Sequence, residues 1–263
     1  MPDSFPRKAD DKVISGTFSA PLLEMRGVGL GSDGRRIIGG IDLKLAEGQR
    51  TVIMGANGSG KTMLLRLIHG LESPDEGNVL WRGQQLERFA RDRQALVFQK
   101  PVMLRRTVIA NIEFALSARG ITGREKKRRA LDALEMAHLS HLGLKPARLL
   151  SGGEQQRVAV ARAIACAPEI LLLDEPSASL DPASTALIEE LIGQAHRRGV
   201  TIILVTHDIG QARRIADRVV FLHAGSVAED GPASQVLEAP RSDAVKAWIS
   251  GRLYFDPPQK NDT

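Results

Sequence analysis

Two rhythms of apolar residues alternate along this chain, and the change between them predicts most of its elements. Thr51-Val52-Ile53-Met54, Ile170-Leu171-Leu172-Leu173, Thr201-Ile202-Ile203-Leu204-Val205 and Val219-Val220-Phe221-Leu222 are short runs apolar on both faces. Such runs suit the strands of a parallel sheet covered by helices on each side. Between them the period lengthens: Leu64, Leu65, Ile68 and Leu71 form one helical stripe, and Leu131, Leu134 and His138 mark another. From Leu22 to Leu45 the apolar pieces are short and broken by Gly27, Gly29, Gly31, Gly34, Gly39 and Gly40, which suits a small antiparallel sheet.

The stretch from about Arg105 to Ala165 reads as almost wholly helical and interrupts the strand–helix alternation. It is expected to be a helical subdomain, 105–165, inserted into an α/β core. Asp181-Pro182 predicts a helix start, with the acid at the cap and proline at the first helical position. Beyond Val227 short helix and loop are expected. Residues 1–20 lack any periodic pattern and read as a disordered leader, and 252–263 as a polar tail, leaving one domain over 21–251 without internal repeats.

Composition narrows the class. At 263 residues, 43% hydrophobic and 25% charged, the chain can bury a sizeable core. The single cysteine, Cys166, excludes an internal disulfide framework and a Cys-rich zinc site. No apolar run approaches the roughly 18 residues of a membrane span, and the polar start with Asp3, Asp10 and Asp11 is not a secretory signal. A soluble, cytosolic chain is expected. The net charge of +5 includes Arg124-Glu125-Lys126-Lys127-Arg128-Arg129. That cluster has helical spacing and no interleaved aromatics, so a solvated helix face is favoured over a nucleic-acid platform.

Candidate chemistry begins at Gly55-Ala56-Asn57-Gly58-Ser59-Gly60-Lys61-Thr62, which fits G-x-x-x-x-G-K-[ST] between a predicted strand and helix. Glycines let the backbone curl so that successive N–H groups face an anion, and the following helix points its positive end at it. Lys61 is then placed for the β- and γ-phosphates of a nucleotide, and the Thr62 hydroxyl for magnesium. Ile170–Leu173 ends in Asp174-Glu175. Lying beside the loop-bearing strand, Asp174 would meet the magnesium through water and Glu175 would polarise an attacking water.

With Leu150-Ser151-Gly152-Gly153-Glu154-Gln155-Gln156-Arg157, these residues resemble the ATP-binding subunit of an ABC transporter over about Leu22 to Ser250. The resemblance implies an α/β P-loop NTPase core with a mostly parallel sheet, an N-terminal antiparallel subdomain and an inserted helical subdomain. It implies an ATPase using ATP and Mg2+, in a homodimer that sandwiches nucleotide between one copy's phosphate loop and the other's Ser151, Gly152 and Gly153. Glu154 stands where the family usually has glutamine, and function is expected to survive. Gln99 resembles the glutamine that senses magnesium and water, Ser179-Leu180-Asp181 a loop crossing the dimer interface, and His207 the histidine on the γ-phosphate. The family's adenine-stacking aromatic falls on Ser32; either stacking is lost or another group, such as Arg35 or Arg36, lies over the base, which leaves base selectivity open.

The resemblance further implies transmembrane permease subunits, a separate substrate-binding protein, and a peripheral place on the cytoplasmic face of the inner membrane. The stretch Gln99 to Arg106, followed by Thr107 to Ile112, is most similar to importers of tungstate and related oxyanions. A soluble ABC-type ATPase acting on DNA or ribosomes is the rival reading, disfavoured by the single cassette and the lack of a long heptad insertion. A metabolic P-loop kinase leaves Ser151 to Gln156 without a purpose.

Overall fold

A computed structural model of the chain describes residues 21–32 and 34–252. The leader expected over 1–20 and the tail beyond residue 252 lie outside them. Strands β1 (Leu23–Ser32) and β2 (Arg35–Leu45) form a hairpin, followed by β3 (Arg50–Gly55) and helix α1 (Lys61–His69). Next come β4 (Glu76–Trp81), β5 (Gln84–Gln85), the single turn α2 (Arg88–Arg91) and β6 (Gln94–Val97). The helical stretch comprises α3 (Val108–Ala118), α4 (Gly123–Met136) and α5 (Gly152–Ala165). The core resumes with β7 (Ile170–Asp174), α6 (Pro182–Arg197), β8 (Thr201–Val205), α7 (Ile209–Ile215) and β9 (Arg218–His223). The described chain closes on β10 (Ser226–Pro232), α8 (Ala233–Glu238) and α9 (Asp243–Ile249).

Two sheets result. An antiparallel sheet has the order β2-β1-β4-β5, and a larger one the order β10-β9-β3-β8-β7-β6, parallel except for β10. The apolar runs are double-faced because the large sheet is covered on both sides. Ile53, Leu172, Ile203 and Val205 pack in one cluster with α1 and the small sheet, while Val52, Leu171, Leu173 and Leu204 pack in the other with the helices. Burial of both faces is the main stabilising term, at roughly 25 cal/mol per Å² of apolar area.

Several expectations need correction. The strand carrying Asp174 is not beside the loop-bearing strand: β8 lies between β3 and β7. Leu71 and Leu131 are exposed, and so is His138; the buried stripe of α4 is Ala130, Ala133, Leu134 and Met136. Past Val227 the chain stays extended to Pro232, because β10 carries acids with partners: Asp230 pairs with Arg218, and Glu229 accepts from the Arg241 and Ser242 N–H groups. In the basic cluster of α4, Arg128 and Arg129 flank Glu125 and lower its carboxyl to about 2. Asp181 caps α6 as predicted, accepting from the Ser184 N–H at 2.9 Å. Among the described residues no helix is long and apolar enough to cross a membrane.

Candidate nucleotide site

The loop after β3 is a cradle built largely from backbone. Gly55 has φ +143°, and a Cβ there would lie 2.1 Å from the Leu222 carbonyl oxygen of β9. Gly60, at φ +99°, caps α1 without a side chain, and the first turn of that helix carries no acid. Its first N–H groups are therefore left without a side-chain partner, as an anion site at a helix N-terminus requires. Lys61 is buried, and its Nζ donates to the carbonyls of Gly55 at 2.9 Å and Ala56 at 3.0 Å. Burial lowers its pKa, while Glu175 and Asp174 act in the opposite direction. The buried Ser59 Oγ has no hydrogen-bond partner.

At the other side of the cradle Thr62 Oγ1 donates to Asp174 Oδ2 at 2.9 Å, across a sequence gap of 112 residues. Burial raises the Asp174 pKa against the opposing Thr62 hydrogen bond, and the neighbouring Glu175 adds to the rise. A divalent cation here would relieve that crowding of acids. The donor set is a hydroxyl and a carboxylate, hard oxygens that suit magnesium. Among the described residues no cluster of three or more His, Cys, Asp or Glu could hold a metal by protein ligands alone.

A third group gathers around Glu175. Its backbone is strained at φ +45°, and its N–H donates to Val205 O at 3.0 Å, which fixes the turn after β7 against β8. The Oε2 atom lies 3.1 Å from His207 Nδ1 and at a long 3.5 Å from Gln99 Nε2. Glu175 is 14% exposed and His207 55%, so the carboxylate is sheltered and the imidazole faces outward. These groups, with Asn57, Gly58, Gly60, Lys61 and Thr62, line one open cleft of ≈ 870 Å³.

Other expected residues lie elsewhere. Ser151 caps α5, its Oγ accepting from Glu154 N–H at 3.3 Å while the Glu154 carboxylate accepts from Ser151 N–H at 2.7 Å. That second bond lowers the Glu154 pKa. Nothing lies within 4 Å of a Cβ built on Gly152, but one on Gly153 would come 2.6 Å from Ser184 Oγ of α6. None of Ser151, Gly152 and Gly153 lines the cleft of its own chain. Ser32 pairs with Arg35 in the β1–β2 hairpin, and Arg36 is tied to Glu76 at 3.0 Å. These arginines do not line the cleft; Ile37 does. Sequence reasoning missed Trp248, which reaches the cleft beside His207 from α9 and packs edge-to-face on Phe221 at 5.9 Å. A lone tryptophan far down the chain gives no signal of that placement.

Comparison with known proteins gives the family. The family model described as ABC transporter matches residues 38–178. The phosphate import ATP-binding protein of Natronomonas pharaonis is 39% identical over 255 residues, covering 91% of this chain and 90% of the relative. A probable anion import ATP-binding protein of Haloferax volcanii is 36% identical, covering 90% and 89%. A methionine import ATP-binding protein of Caulobacter vibrioides is 39% identical but covers 82% of this chain and 68% of the relative. A dimeric ATP-binding cassette in a post-hydrolysis state with ADP and Pi superposes with a TM-score of 0.73 at 31% identity, covering 80% and 98%. With a family model over more than half of its length and relatives 36–39% identical over most of it, the chain belongs to the ABC transporter family and is an ATP-binding cassette ATPase.

Proposed function

We propose that this chain is the ATP-hydrolysing subunit of an importer of tetrahedral oxyanions, with tungstate the first cargo to test and molybdate or phosphate next. The observation that carries the hydrolytic part is the meeting of Gln99, Glu175 and His207 at the mouth of the cleft that holds Lys61 and Thr62. Backbone N–H groups from Gly58 to Thr62 hold the phosphates, and the Lys61 ammonium leaves its two carbonyl partners for the β- and γ-oxygens. Thr62 and Asp174 would hold magnesium, which would offset the charge that develops on the phosphates. Glu175 accepts the proton of the attacking water, sheltered enough to stay aimed. His207 and Gln99 hold that carboxylate and the γ-phosphate in register.

A second copy completes the site by bringing Ser151, Gly152 and Gly153, at the start of its α5, over the open face in a C2 arrangement; the post-hydrolysis relative is likewise dimeric. The same assembly docks on transmembrane permease subunits at the cytoplasmic face of the membrane, fed by a separate substrate-binding protein. An apolar groove of ≈ 440 Å³ between the sheet edge and the helical stretch, with Val102 68% exposed at its mouth, supports that docking face. The oxyanion class is supported by the phosphate and anion relatives, which the chain spans almost end to end. Tungstate rests on the Gln99 to Ile112 stretch. Deleting the gene is expected to abolish high-affinity tungstate accumulation at nanomolar supply, and a Glu175→Gln copy to leave it abolished. Unchanged tungstate alongside loss of another nutrient would reject this cargo while leaving the ATPase intact.

A further inference from the structure

Behind the cleft, the turn that carries Glu175 is tied to the helix that follows His207. The turn runs from β7 into α6, and two of its residues, Glu175 at φ +45° and Ser179 at φ +62°, hold left-handed backbone without being glycine. Such backbone persists only where its surroundings over-determine it. On the cleft side, Val205 O accepts from the Glu175 N–H and His207 Nδ1 meets its carboxylate. On the far side the holding group is Gln211, buried in the first turn of α7. Its Nε2 donates to Ser177 Oγ at 2.9 Å and to Glu189 Oε1 of α6 at 3.2 Å.

Charge dictates how that amide is turned. Arg214, further along α7, donates to both oxygens of Glu189, from Nε at 2.9 Å and from its guanidinium NH2 at 2.7 Å. A carboxylate paired in this way accepts and does not donate, so the amide must present its nitrogen to Glu189, and the second hydrogen of that nitrogen goes to Ser177. The other end, Gln211 Oε1, is buried with no hydrogen-bond partner. A buried carbonyl left unpaired costs stability, and a leucine would fill the space without that cost. Packing therefore does not explain the amide. Its main chain belongs to the His207 turn: α7 starts at the Asp208 cap, directly after His207, and Asp208 Oδ1 accepts from the Gln211 N–H at 3.1 Å. The two turns are thus joined twice, by Glu175 and His207 at the cleft and by Ser177 and Gln211 behind it.

We infer that Gln211 is a positioning residue for ATP hydrolysis: through Ser177 it fixes the strained turn that aims the Glu175 carboxylate, while Glu189 and Arg214 keep its amide turned the right way. This rests on the role given above to Glu175. Gln211 does not line the cleft, so its effect falls on the hydrolytic step and not on nucleotide binding.

Steady-state ATPase of the purified full chain, with the thermal midpoint measured alongside, tests this. Gln211→Leu is expected to lower kcat about 10–100-fold, with the KM for ATP within about twofold of the parent and the thermal midpoint held or raised. A merely structural role would lower the midpoint and leave kcat per folded chain unchanged. Ser177→Ala is expected to lower kcat as well, and the double variant to fall no further than Gln211→Leu alone, as two members of one linkage require. If Gln211→Leu melts below the assay temperature, Ser177→Ala carries the test, and a parental kcat there overturns the inference. If Glu175→Gln hydrolyses ATP at the parental rate, the reading of Glu175 fails and the inference with it. If Glu175→Gln stops hydrolysis while Gln211→Leu keeps the parental kcat, or the two losses multiply in the double variant, the inference alone is overturned.

Discussion

The two ends of the nucleotide cleft are made in opposite ways. At the phosphate end, Gly55 to Thr62 are consecutive, and their curl follows from glycine torsions and the start of α1. At the water end, Gln99, Glu175 and His207 come from the ends of three different strands, β6, β7 and β8, in the order set by the sheet. The first end depends on local backbone chemistry and tolerates changes of neighbour; the second exists only while the sheet holds its register. Binding is therefore expected to survive damage that removes hydrolysis, and the reverse should not occur.

The sharpest way to break that asymmetry is at Lys61. Lys61→Ala removes the one buried cation held by the loop carbonyls and is expected to abolish nucleotide-supported turnover. Near-normal activity in a steady-state assay would refute the role. Glu175→Gln is the complementary cut. It keeps the size of the side chain but not its basicity, so hydrolysis is expected to fall about 10²–10⁴-fold with ATP binding retained. ATP trapped between two copies then stabilises the dimer by mass action, which size-exclusion chromatography with ATP and magnesium reads directly; a monomeric mutant would contradict it.

Gly55→Ala probes how local the local end is. Its Cβ would collide with Leu222 of β9 and hold a backbone region that favours glycine, so a loss of roughly 2–4 kcal/mol in urea unfolding is expected. A wild-type midpoint would show that the loop moves freely against β9. A smaller effect concerns the base. Ser32 lies in a hairpin away from the cleft, so binding is dominated by phosphate contacts. ATP and GTP are expected to differ less than about tenfold in affinity, roughly 1.4 kcal/mol. A larger preference, lost in Trp248→Leu, would assign base reading to that indole.

The smallest effect sits at α5. Glu154→Gln loses the carboxylate that accepts from the Ser151 N–H, at about 0.5–1 kcal/mol. The folded Glu154 pKa is depressed, so this stabilisation is present above the ordinary glutamate pKa and is lost as pH falls through the folded value. Parent and variant are therefore expected to differ most at neutral pH and to converge in acid, as thermal melts at pH 7 and pH 3 would show.

Legibility follows the range of the interaction. The phosphate loop, the Asp181 cap and the double-faced strands are readable because each depends on residues a few positions apart. Leu71 and Leu131 share a helical period with buried residues and are nonetheless exposed, because a period names a face without naming what covers it. The edge strand β10 was hidden by Glu229 and Asp230, whose partners Arg241, Ser242 and Arg218 make an acidic strand stable. Asp174 reaches Thr62 even though β8 separates their strands, because the cleft lies along the carboxyl edge of the sheet rather than between neighbours.

By itself the sequence determined most of the elements, the anion-binding loop and the family, since torsional preference, period and contiguous motif all act within a few residues. Tertiary structure alone decided which strand stands beside which, that Glu175 meets His207 and Gln99, that Trp248 reaches the cleft, and that Gln94 and Arg162 share a groove. Those contacts join residues far apart in the chain. Burying both faces of one twisted sheet at once fixes them, and no local preference encodes that packing.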